Sequence, residues 1–451
     1  MGAGKCFSAM SQGPFDVITI TPPGRPFKAC PRLAGSKSIT NRALLLAAIA
    51  SGTSMLSGVL FADDTERMLD CLEKLGLTLT VDRAAQRVTI VGLGGKIPTP
   101  AAQLFCGNSG TTIRFLAAIC AAAPGEYILD GVERMRQRPI GELADALRSL
   151  GAAVDYLGAK GFPPMRVGGG LAGGKCRFSA SQSSQFISAI LMAAPMARQP
   201  VEVELIGPVT SEPYVRMTLA IMERFGVNCQ TAHIADSSHG GSIITIPNDR
   251  GYQGGSLAIE PDASNASYFL AAAAISPGCQ VTINGLGRDS WQGDVLFADV
   301  LRQMGADMRM ESHSITLCGG RNLTGLTVNM NAIPDMVQTL AVVALFAQGS
   351  TRIYDVGNLR VKETDRLAAL EKELTKLGAT VSTTSDSITI EPPAKPHAAR
   401  IGTYDDHRMA MAFAVAGTRI PGLEIENPMC VQKTYPDFFQ DFQACLTSRS
   451  S

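Results

Sequence analysis

The chain has 451 residues, which is enough for two or three domains with a sizeable core. Its 40 Lys and Arg residues balance its 40 Asp and Glu residues, so the net charge indicates neither nucleic acid nor an anionic membrane as a partner. The 11 cysteines form no C-x-x-C pair and no apolar run approaches the roughly 20 residues that span a bilayer, which argues against a disulfide framework, a zinc site or a membrane span.

The first residues, 1–14, are predicted to be a disordered leader. The start Met1-Gly-Ala-Gly-Lys-Cys6 is similar to a myristoylation signal but has Cys6 where Ser or Thr is required. The next residues up to Pro14 are too few and too polar for a signal peptide. The apolar run that begins at Val17 predicts a strand.

A repeat with a period near 75 residues organises the rest of the chain. Five segments share an amphipathic helix, an apolar residue followed by Gly, and two short strands around a turn. The glycines, at separations of 75, 75, 79 and 73 residues, are Gly76, Gly151, Gly226, Gly305 and Gly378. A chain of this length holds about six such units.

A second series of helices runs in step with the first, and its members are apolar on nearly all sides. Each begins with a polar, often capping-type cluster. The six stretches are 35–46, 107–116, 182–187, 262–270, 334–340 and 405–411. Because a helix that is apolar all round belongs inside other layers, six buried helices, six outer helices and surrounding sheet are predicted.

The end of the chain sets the predicted domain organisation. The sixth unit has a short outer helix from Asp437 to Leu446 and is predicted to lack strands, so the strand at Val17 is predicted to complete it. This gives an α/β protein of two domains with three repeats each. We expect residues 35–250 to form an inserted domain and 15–34 plus 256–451 to form the second, with a hinge near 32–35 and 251–255.

The polar clusters are predicted to converge on one face of each domain. Two such faces opposed across a hinge make a cleft with concentrated positive helix dipoles. Helix N-termini bind anions through their free N–H groups. The sequence therefore predicts a site for small anionic ligands that closes on binding.

The most informative cluster is Asn358 to Arg366. Arg360, Lys362 and Arg366 are predicted to crowd the first turn of a helix that ends at Gly378. Cations at this end cost roughly 0.3–1 kcal/mol each, which indicates a bound anion. The alternative is a solvated, charged helix start. Glu363 lies among the cations and could hold them in place or move a proton.

Other polar stretches have the same dual interpretation, anion site or ordinary surface feature. Neutral hydrogen-bond donors, or ordinary caps, come from Ser183, Ser184 and Gln185, and Asp335 could be a plain N-cap. Gly110 lets backbone approach a ligand closely, or belongs to an ordinary turn. The cations in these stretches could equally be solvated surface charges. They are Lys37 beside Ser38, Arg42, Arg114, the three arginines in 134–138, and Arg408 beside the lone His407.

One stretch is similar to a phosphate-binding loop without being one. Gly169 to Cys176 follows the G-x-x-x-x-G-K pattern, but Cys176 stands where the Mg²⁺-binding hydroxyl is required. We interpret it as a flexible turn. No His, Cys and carboxylate set has metal-ligand spacing, so chemistry without a metal or other cofactor is predicted.

Taken together, these motifs resemble the 5-enolpyruvylshikimate-3-phosphate synthases (3-phosphoshikimate 1-carboxyvinyltransferases) of the enolpyruvyltransferase family. The match runs in order from about residue 35 to 437. The stretches 360–366 (Arg-Val-Lys-Glu-Thr-Asp-Arg) and 406–411 (Asp-His-Arg-Met-Ala-Met) are highly specific together. Further matches lie at 35–42, 107–111, 138–140, 183–185, 262–264, 333–335 and 433–437.

The resemblance implies two domains of three repeats with buried parallel helices surrounded by sheets, an inverse α/β barrel. It implies a transferase of the shikimate pathway, which makes precursors of aromatic amino acids. Such an enzyme moves the enolpyruvyl group of phosphoenolpyruvate to the 5-hydroxyl of shikimate 3-phosphate and releases phosphate. It also implies these two small molecules as partners, with glyphosate as a mimic of phosphoenolpyruvate. The scattered, odd-numbered cysteines fit reduced thiols, so we expect a cytoplasmic protein, and we expect a monomer.

The resemblance also assigns residues to each substrate. The shikimate 3-phosphate ligands would be Lys37, Ser38, Arg42, Ser183, Ser184, Gln185, Ser211, Asp335, Asn358 and Lys362. The phosphoenolpyruvate ligands would be Lys37, Gly110, Arg138, Gln185, Arg366, Arg408 and Lys433. Asp335 would be the base and Glu363 the acid, with Lys37 sharing either step.

One departure and two alternatives accompany this interpretation. Family members commonly have Pro after the arginine that corresponds to Arg114, and this chain has Phe115, which bears on how glyphosate binds. One alternative is the enolpyruvyltransferase that acts on UDP-N-acetylglucosamine, but its usual Gly-Gly-Cys loop is absent near residue 130. The other is a non-catalytic anion-binding protein of the same fold.

Overall fold

The computed structural model describes residues 17–179, 183–207, 209–233, 241–320 and 322–448. The predicted leader lies outside the described residues. Inner and outer α-helices alternate along the chain, and none in the described part is long and apolar enough to cross a membrane. The helices are α1 (Lys37–Ile49), α2 (Asp63–Lys74), α3 (Gly110–Ala122), α4 (Gly141–Ser149), α5 (Ser184–Ala193), α6 (Glu212–Arg224), α7 (Ala263–Ala274), α8 (Phe297–Gln303), α9 (Val337–Ala344), α10 (Arg366–Lys376), α11 (His407–Gly417) and α12 (Phe438–Thr447).

The six odd-numbered helices are the inner ones, and nearly every residue in them is buried, as predicted. Five begin at a polar N-cap whose side chain accepts a backbone N–H of the first turn, which satisfies an otherwise orphaned donor. The caps are Ser36, Ser109, Ser183, Asp262 and Asp406. Helix α9 instead follows a 3₁₀ turn, Pro334–Met336.

The strands are short and form the outer layers. They are β1 (Val17–Thr19), β2 (Lys28–Ala29), β3 (Thr53–Ser57), β4 (Thr78–Asp82), β5 (Arg87–Val91), β6 (Ala101–Phe105), β7 (Glu126–Asp130), β8 (Ala153–Tyr156), β9 (Met165–Gly168), β10 (Gly174–Ser179), β11 (Val201–Ile206), β12 (Gln230–His233), β13 (Gly241–Ile246), β14 (Ser256–Ala258), β15 (Gln280–Asn284), β16 (Asp307–Met310), β17 (Ser314–Cys318), β18 (Leu323–Thr324), β19 (Thr327–Asn329), β20 (Ala347–Gln348), β21 (Thr351–Tyr354), β22 (Thr380–Thr383), β23 (Ser387–Glu391), β24 (Arg400–Ile401) and β25 (Glu424–Glu426).

Within the described residues these strands form seven sheets. Five have four strands, in the orders β14-β3-β5-β4, β6-β7-β9-β8, β10-β11-β13-β12, β16-β17-β15-β2 and β19-β21-β23-β22. A three-stranded sheet has the order β1-β25-β24, and β18 pairs with β20. Each four-stranded sheet contains one predicted hairpin, so the repeat is confirmed.

The repeat glycines explain the common geometry of five units. Each follows an outer helix and has a positive φ, which costs little only for Gly, so the chain can reverse into the next strand. The φ angles are 93° at Gly76, 96° at Gly151, 87° at Gly226, 108° at Gly305 and 96° at Gly378.

Two hydrophobic cores divide the described chain. One extends from Ile39 to Ile259, and the other contains Ile20, Phe27 and residues from Ala263 to Leu446. We call residues 36–259 the first half and the remaining described residues the second half. Strand β14 pairs in parallel with β3 of the first half, and the backbone that follows it passes to the second half at 259–262. The hinge predicted near 251–255 stays a prediction. The division into two domains stays a prediction.

The two crossings are joined side by side. Ser36 N donates to Glu260 O at 2.8 Å, and Asp262 N donates to Ala34 O at 2.9 Å. The Asp262 carboxylate caps α7 and also accepts the backbone N–H of Lys37, the first residue of α1, at 2.9 Å. The first turns of α1 and α7 are therefore held together at the crossing.

Two local predictions need correction. Strand β1 pairs antiparallel with β25, which confirms that the N-terminal strand joins the last unit, but the prediction that this unit lacks strands is wrong because β24 and β25 lie there. The flexible turn predicted up to Cys176 is wrong from Gly174 onward. Those residues form β10, which pairs in parallel with β11 and buries Cys176.

Candidate active site

A cavity opens where the first turns of inner helices from both halves meet. It comprises about 510 Å³ of space between protein atoms, part of which is open to solvent. It is lined by all ten residues that the resemblance assigns to shikimate 3-phosphate: Lys37, Ser38, Arg42, Ser183, Ser184, Gln185, Ser211, Asp335, Asn358 and Lys362. Three further lining residues were not predicted: Thr111, Tyr214 and Pro334.

Asp335 meets three cations in this cavity. Its Oδ1 accepts from Arg366 Nη1 at 3.1 Å and lies 3.9 Å from Lys362 Nζ, and its Oδ2 accepts from Arg408 Nη2 at 2.8 Å. Burial raises the pKa of Asp335, but the charges of Arg408, Lys362, Arg366 and Lys37 outweigh burial and hold that pKa well below its usual range. Asp335 is an ionised carboxylate among cations, and the N-cap interpretation is wrong because α9 begins two residues later, at Val337.

Glu363 lies in a second group of cations. Its Oε2 accepts from Arg366 Nη2 at 3.0 Å, and its Oε1 is 3.7 Å from Arg138 Nη1 and 3.8 Å from Lys433 Nζ. Burial raises its pKa, but Arg138, Arg366 and Lys433 together lower the pKa of Glu363 well below its usual value. Glu363 therefore carries no proton in this state of the site.

Arg366 connects the two carboxylates to a third. Its Nε donates to Asp406 Oδ2 at 2.7 Å, in addition to its bonds with Asp335 and Glu363. The residue is 1% exposed. Burial lowers the pKa of Arg366, but these carboxylates raise it above its usual value. A single guanidinium thus orients both predicted catalytic carboxylates.

The predicted crowding of cations in one helical turn is wrong. Helix α10 begins at Arg366 behind the N-cap Asp365, so Arg360 and Lys362 precede the helix. Arg360 Nη1 donates to Asp365 Oδ2 at 2.8 Å, and its other nitrogens donate to carbonyls of Thr384 and Ser385. Arg360 is therefore a structural residue outside the cavity.

Asp64, which the sequence did not indicate, links two predicted cations. Its Oδ2 is 3.2 Å from Lys37 Nζ and its Oδ1 accepts from Lys433 Nζ at 2.8 Å. Lys433 Nζ also donates to Asn108 O at 2.7 Å. Since Asp64 belongs to the first half and Lys433 to the second, this buried carboxylate holds an ammonium from each half.

Arg42 has only neutral partners among the described residues. Its Nε donates to Thr218 Oγ1 at 2.7 Å and its Nη2 to Ser188 Oγ at 3.2 Å, and its Cζ lies 5.0 Å from the Phe115 ring centroid. Burial lowers the pKa of Arg42 to about 10. A buried cation without a carboxylate is suited to an anionic group of a ligand.

A second pair of arginines surrounds Gly110. Arg114 Nη1 donates to Gln185 Oε1 at 2.7 Å, and Arg138 Nη1 donates to Asn108 O at 3.0 Å. A Cβ at Gly110 would lie 2.6 Å from Arg114 Nη1 and 2.7 Å from Arg138 Nη2. Burial and then the charge of Arg138 lower the pKa of Arg114 to about 9. Only glycine leaves this space clear.

Tyr214 and Asp294 form a connection between the halves that the sequence did not indicate. Tyr214 Oη donates to Asp294 Oδ2 at 2.9 Å, and Ser264 Oγ donates to the same oxygen. Arg408 Nη2 donates to Ser264 Oγ at 3.4 Å, so the connection reaches Asp335. Burial and the charge of Asp335 raise the pKa of Asp294 to about 6.

The arrangement can bind two anionic ligands and move protons between carboxylates and ligand. Seven predicted phosphoenolpyruvate ligands lie in or beside the cavity: Lys37, Gly110, Arg138, Gln185, Arg366, Arg408 and Lys433. No group of three or more His, Cys, Asp or Glu residues in the described part of the chain could hold a metal ion. The donors that remain are cations, hydroxyls and amides, which suit phosphates and carboxylates.

Comparison with known proteins identifies the family. The family model of EPSP synthase (3-phosphoshikimate 1-carboxyvinyltransferase) matches residues 23–442. The chain is 45% identical to the chloroplastic 3-phosphoshikimate 1-carboxyvinyltransferase of Solanum lycopersicum, over 96% of this chain and 85% of that protein. It is also 45% identical to the 3-phosphoshikimate 1-carboxyvinyltransferase of Edwardsiella ictaluri (strain 93-146), over 95% of this chain and 98% of that one.

The fold comparison agrees. The structure of EPSP synthase from Acinetobacter baumannii superposes with a TM-score of 0.78 at 27% identity, covering 96% of this chain and 98% of that one. The predicted α/β fold class and the predicted resemblance are confirmed. The chain belongs to the EPSP synthase family, and it is a transferase.

Proposed function

We propose that the cavity catalyses transfer of the enolpyruvyl group of phosphoenolpyruvate to the 5-hydroxyl of shikimate 3-phosphate, with release of phosphate. The observation that supports this most directly is the meeting of both halves around Asp335 and Glu363. Each carboxylate is held by cations that an anionic substrate can take over. A non-catalytic binding protein would have no need for two partly buried, ionised carboxylates beside its anion site.

In the first step the 5-hydroxyl oxygen attacks C2 of phosphoenolpyruvate. The hydroxyl proton goes to Asp335, and the methylene carbon C3 takes up a proton to become a methyl group. A carboxylate whose pKa is held low is a weak base. Binding of the two anions draws Arg408, Arg366 and Lys362 away from Asp335, which raises its pKa and prepares it to accept the proton.

The proton for C3 comes from Glu363 or from Lys37. Glu363 is ionised before substrates bind, so it can act as the acid only after phosphoenolpyruvate engages Arg138 and Lys433 and raises its pKa. In the second step the methyl group returns a proton to the group that supplied it, Glu363 or Lys37, while the C2–O bond to phosphate breaks and the leaving phosphate takes the proton from Asp335. The electrons of the C–H bond form the new double bond, so Asp335 and the acid both return to their starting protonation states.

Phosphate release is the direct test. Purified enzyme is mixed with shikimate 3-phosphate and phosphoenolpyruvate, with each omitted in turn. We expect phosphate only with both, and no release when UDP-N-acetylglucosamine replaces shikimate 3-phosphate. Release with UDP-N-acetylglucosamine would assign the sister activity, and binding of both anions without release would assign a binding protein.

The reaction is expected to need no metal ion. Activity should survive exhaustive treatment with EDTA, because the cavity supplies positive charge through Lys and Arg side chains. Rates before and after chelation check this. A chelated enzyme that loses activity and recovers it with Mg²⁺ would contradict the prediction.

Shikimate 3-phosphate is expected to draw the two halves together about the crossings at 34–36 and 259–262. Lys37, Ser183 and Ser184 belong to the first half and Asp335 and Lys362 to the second, so the ligand set is complete only when the halves meet. Small-angle scattering should give a smaller radius of gyration at saturating ligand. An unchanged radius would contradict closure.

Glyphosate is expected to compete with phosphoenolpyruvate, and Gly110→Ala should raise its inhibition constant about 10- to 100-fold, a larger factor than for KM of phosphoenolpyruvate. The added methyl group would overlap the guanidinium groups of Arg114 and Arg138 and intrude on the larger ligand first. Inhibition measured with phosphoenolpyruvate varied checks this.

Two outcomes would contradict that expectation. Equal factors for both constants would remove the steric explanation. Resistance of the unmodified enzyme would assign the effect to Phe115, which stands where the family commonly has Pro. Phe115 is fully buried and its ring packs on Arg42, so we expect the unmodified enzyme to be sensitive.

Two further properties are proposed on general grounds. We infer that the enzyme is monomeric, because both halves of the site belong to one chain. A cytoplasmic location follows from the cysteine usage. Light scattering with the purified protein tests the first, and a mass of two chains would contradict it.

A further inference from the structure

Arg134 bonds across the cleft to the backbone that carries two site residues. It belongs to the first half and lies four residues before Arg138. Its Nε donates to Glu363 O at 3.0 Å and its Nη2 donates to Lys362 O at 2.8 Å. Its Nη1 donates to Gln137 Oε1 at 3.2 Å, which holds the guanidinium in place from its own side.

The two carbonyls belong to a segment with little support of its own. Residues 362–365 lie between the 3₁₀ segment Gly357–Val361 and the start of α10, so no helical bond fixes Lys362 or Glu363. Among the described residues, Arg134 is the donor that satisfies both carbonyls. A guanidinium that binds two successive carbonyls fixes that stretch of backbone, and so it fixes the directions of the Lys362 and Glu363 side chains.

Arg134 and Arg138 together hold Glu363 from two sides. Arg134 binds its backbone oxygen, and Arg138 lies 3.7 Å from its carboxylate. Both arginines come from one loop of the first half, whereas Glu363 belongs to the second. The contact therefore joins the two halves.

We infer that Arg134 is a positioning residue that fastens the segment 362–363 on closure and so brings Lys362 and Glu363 into register with the substrates. Arg134 lies outside the set of residues that bind substrate. This inference rests on the proposed function, since it concerns the geometry of that reaction. It predicts that Arg134 affects turnover and closure more than it affects the first binding of shikimate 3-phosphate.

The experiment compares Arg134→Ala with Arg136→Ala. Arg136 lies in the same turn but pairs outward with Asp130, 2.6 Å from Nη2 to Oδ2, and is about half exposed. We expect Arg134→Ala to lower kcat about 10- to 100-fold, because two charge-assisted hydrogen bonds are lost in the closed state. The Kd of shikimate 3-phosphate alone, from calorimetry, should rise by only about threefold, and ligand-induced compaction should be smaller. Arg136→Ala should match the unmodified enzyme.

Chemical rescue separates positioning from general damage. Millimolar guanidinium chloride should restore part of the kcat of Arg134→Ala, and equal sodium chloride should not. If Arg134→Ala does not fold, Arg134→Lys is tested instead, because lysine keeps the positive charge but cannot bind both carbonyls as the planar guanidinium does. Reduced kcat at an unchanged Tm then supports the inference.

Wild-type kcat and compaction in the folded variant would overturn the inference. Failure of the proposed function is a different result: the unmodified enzyme would release no phosphate from the two substrates. The scattering comparison of Arg134→Ala with Arg136→Ala would still decide whether Arg134 fastens the closed form.

Discussion

Asp335→Asn is expected to lower kcat about 10²- to 10⁴-fold, the usual contribution of a positioned base. The substitution keeps the shape and the hydrogen-bonding reach of the side chain but cannot accept the proton of the 5-hydroxyl. It also removes the negative charge that Arg366 and Arg408 now neutralise. We therefore expect Kd for phosphoenolpyruvate in the ternary complex to stay equal or fall, while turnover collapses.

A matched control is available in Asp365→Asn. Asp365 is a true N-cap, whose Oδ1 accepts from Ala368 N at 3.1 Å, and Asn caps helices as well as Asp. The control should keep turnover close to that of the unmodified enzyme. Rapid-quench turnover and inhibitor displacement measure the two effects separately. Near-normal turnover in Asp335→Asn would show that another group takes the proton.

The regular features of the fold could be predicted because local physics specifies them. The φ near 90° behind five of the six outer helices strongly favours glycine, so Gly76 and its four counterparts mark the repeat in sequence. The inner helices could be recognised because they are apolar on every side. Neither feature depends on which partner the segment meets.

The parts of the fold prediction that were wrong or stay untested depend on partners distant in sequence. Strand β14 has three residues and takes its place from β3, about 200 positions earlier, so its pattern alone cannot say which half it joins. Strands β24 and β25 are similarly short. Strand β24 pairs in parallel with β25, which in turn pairs with β1 from the other end of the described chain, so these few residues are strands only because of partners that local periodicity does not encode.

Site residues could be predicted where the start of a helix carries residues that are unusual there. They were missed where the residues at the start of a helix are the common ones. Asp64 lies in the first turn of α2, where an acidic residue already favours the helix dipole, so nothing marks it as a ligand of Lys37 and Lys433. Tyr214 and Asp294 meet only in three dimensions. The prediction for Arg360 was wrong for the opposite reason. Its spacing from Lys362 and Arg366 is typical of an anion site, but it pairs with the carboxylate of Asp365.

The cations of the site are arranged around carboxylates, and Arg366, which contacts three of them, is the residue whose removal should disturb this most. Arg366→Met keeps much of the volume but leaves Asp335, Glu363 and Asp406 without their shared cation. Breaking one partner of a buried ion pair costs about 3–5 kcal/mol. We expect the unfolding free energy to fall by that amount and turnover to become unmeasurable. Denaturant unfolding measures the first effect, and the phosphate assay measures the second.

The pH dependence of stability should weaken as well. In the unmodified protein the pKa values of Asp335 and Glu363 are lowered, so their contribution is present above their unfolded pKa near 4 and is lost as pH falls toward their folded values. In Arg366→Met the lowering by Arg366 is lost, but Arg408 and Lys362 beside Asp335, and Arg138 and Lys433 beside Glu363, still oppose burial. These pKa values should therefore rise toward the unfolded ones, and less stability should be lost as pH falls below about 4.

Arg360→Met is the matched control, since Arg360 pairs with a partly exposed Asp365 and such pairs contribute about 0–1 kcal/mol. Its unfolding free energy should stay within that range of the unmodified protein and should keep the same pH dependence. The difference between the two variants at each pH isolates the buried network from other titrating groups. Equal stability losses, or parallel pH profiles, would show that Lys362, Arg408 and Arg138 neutralise the three carboxylates without Arg366.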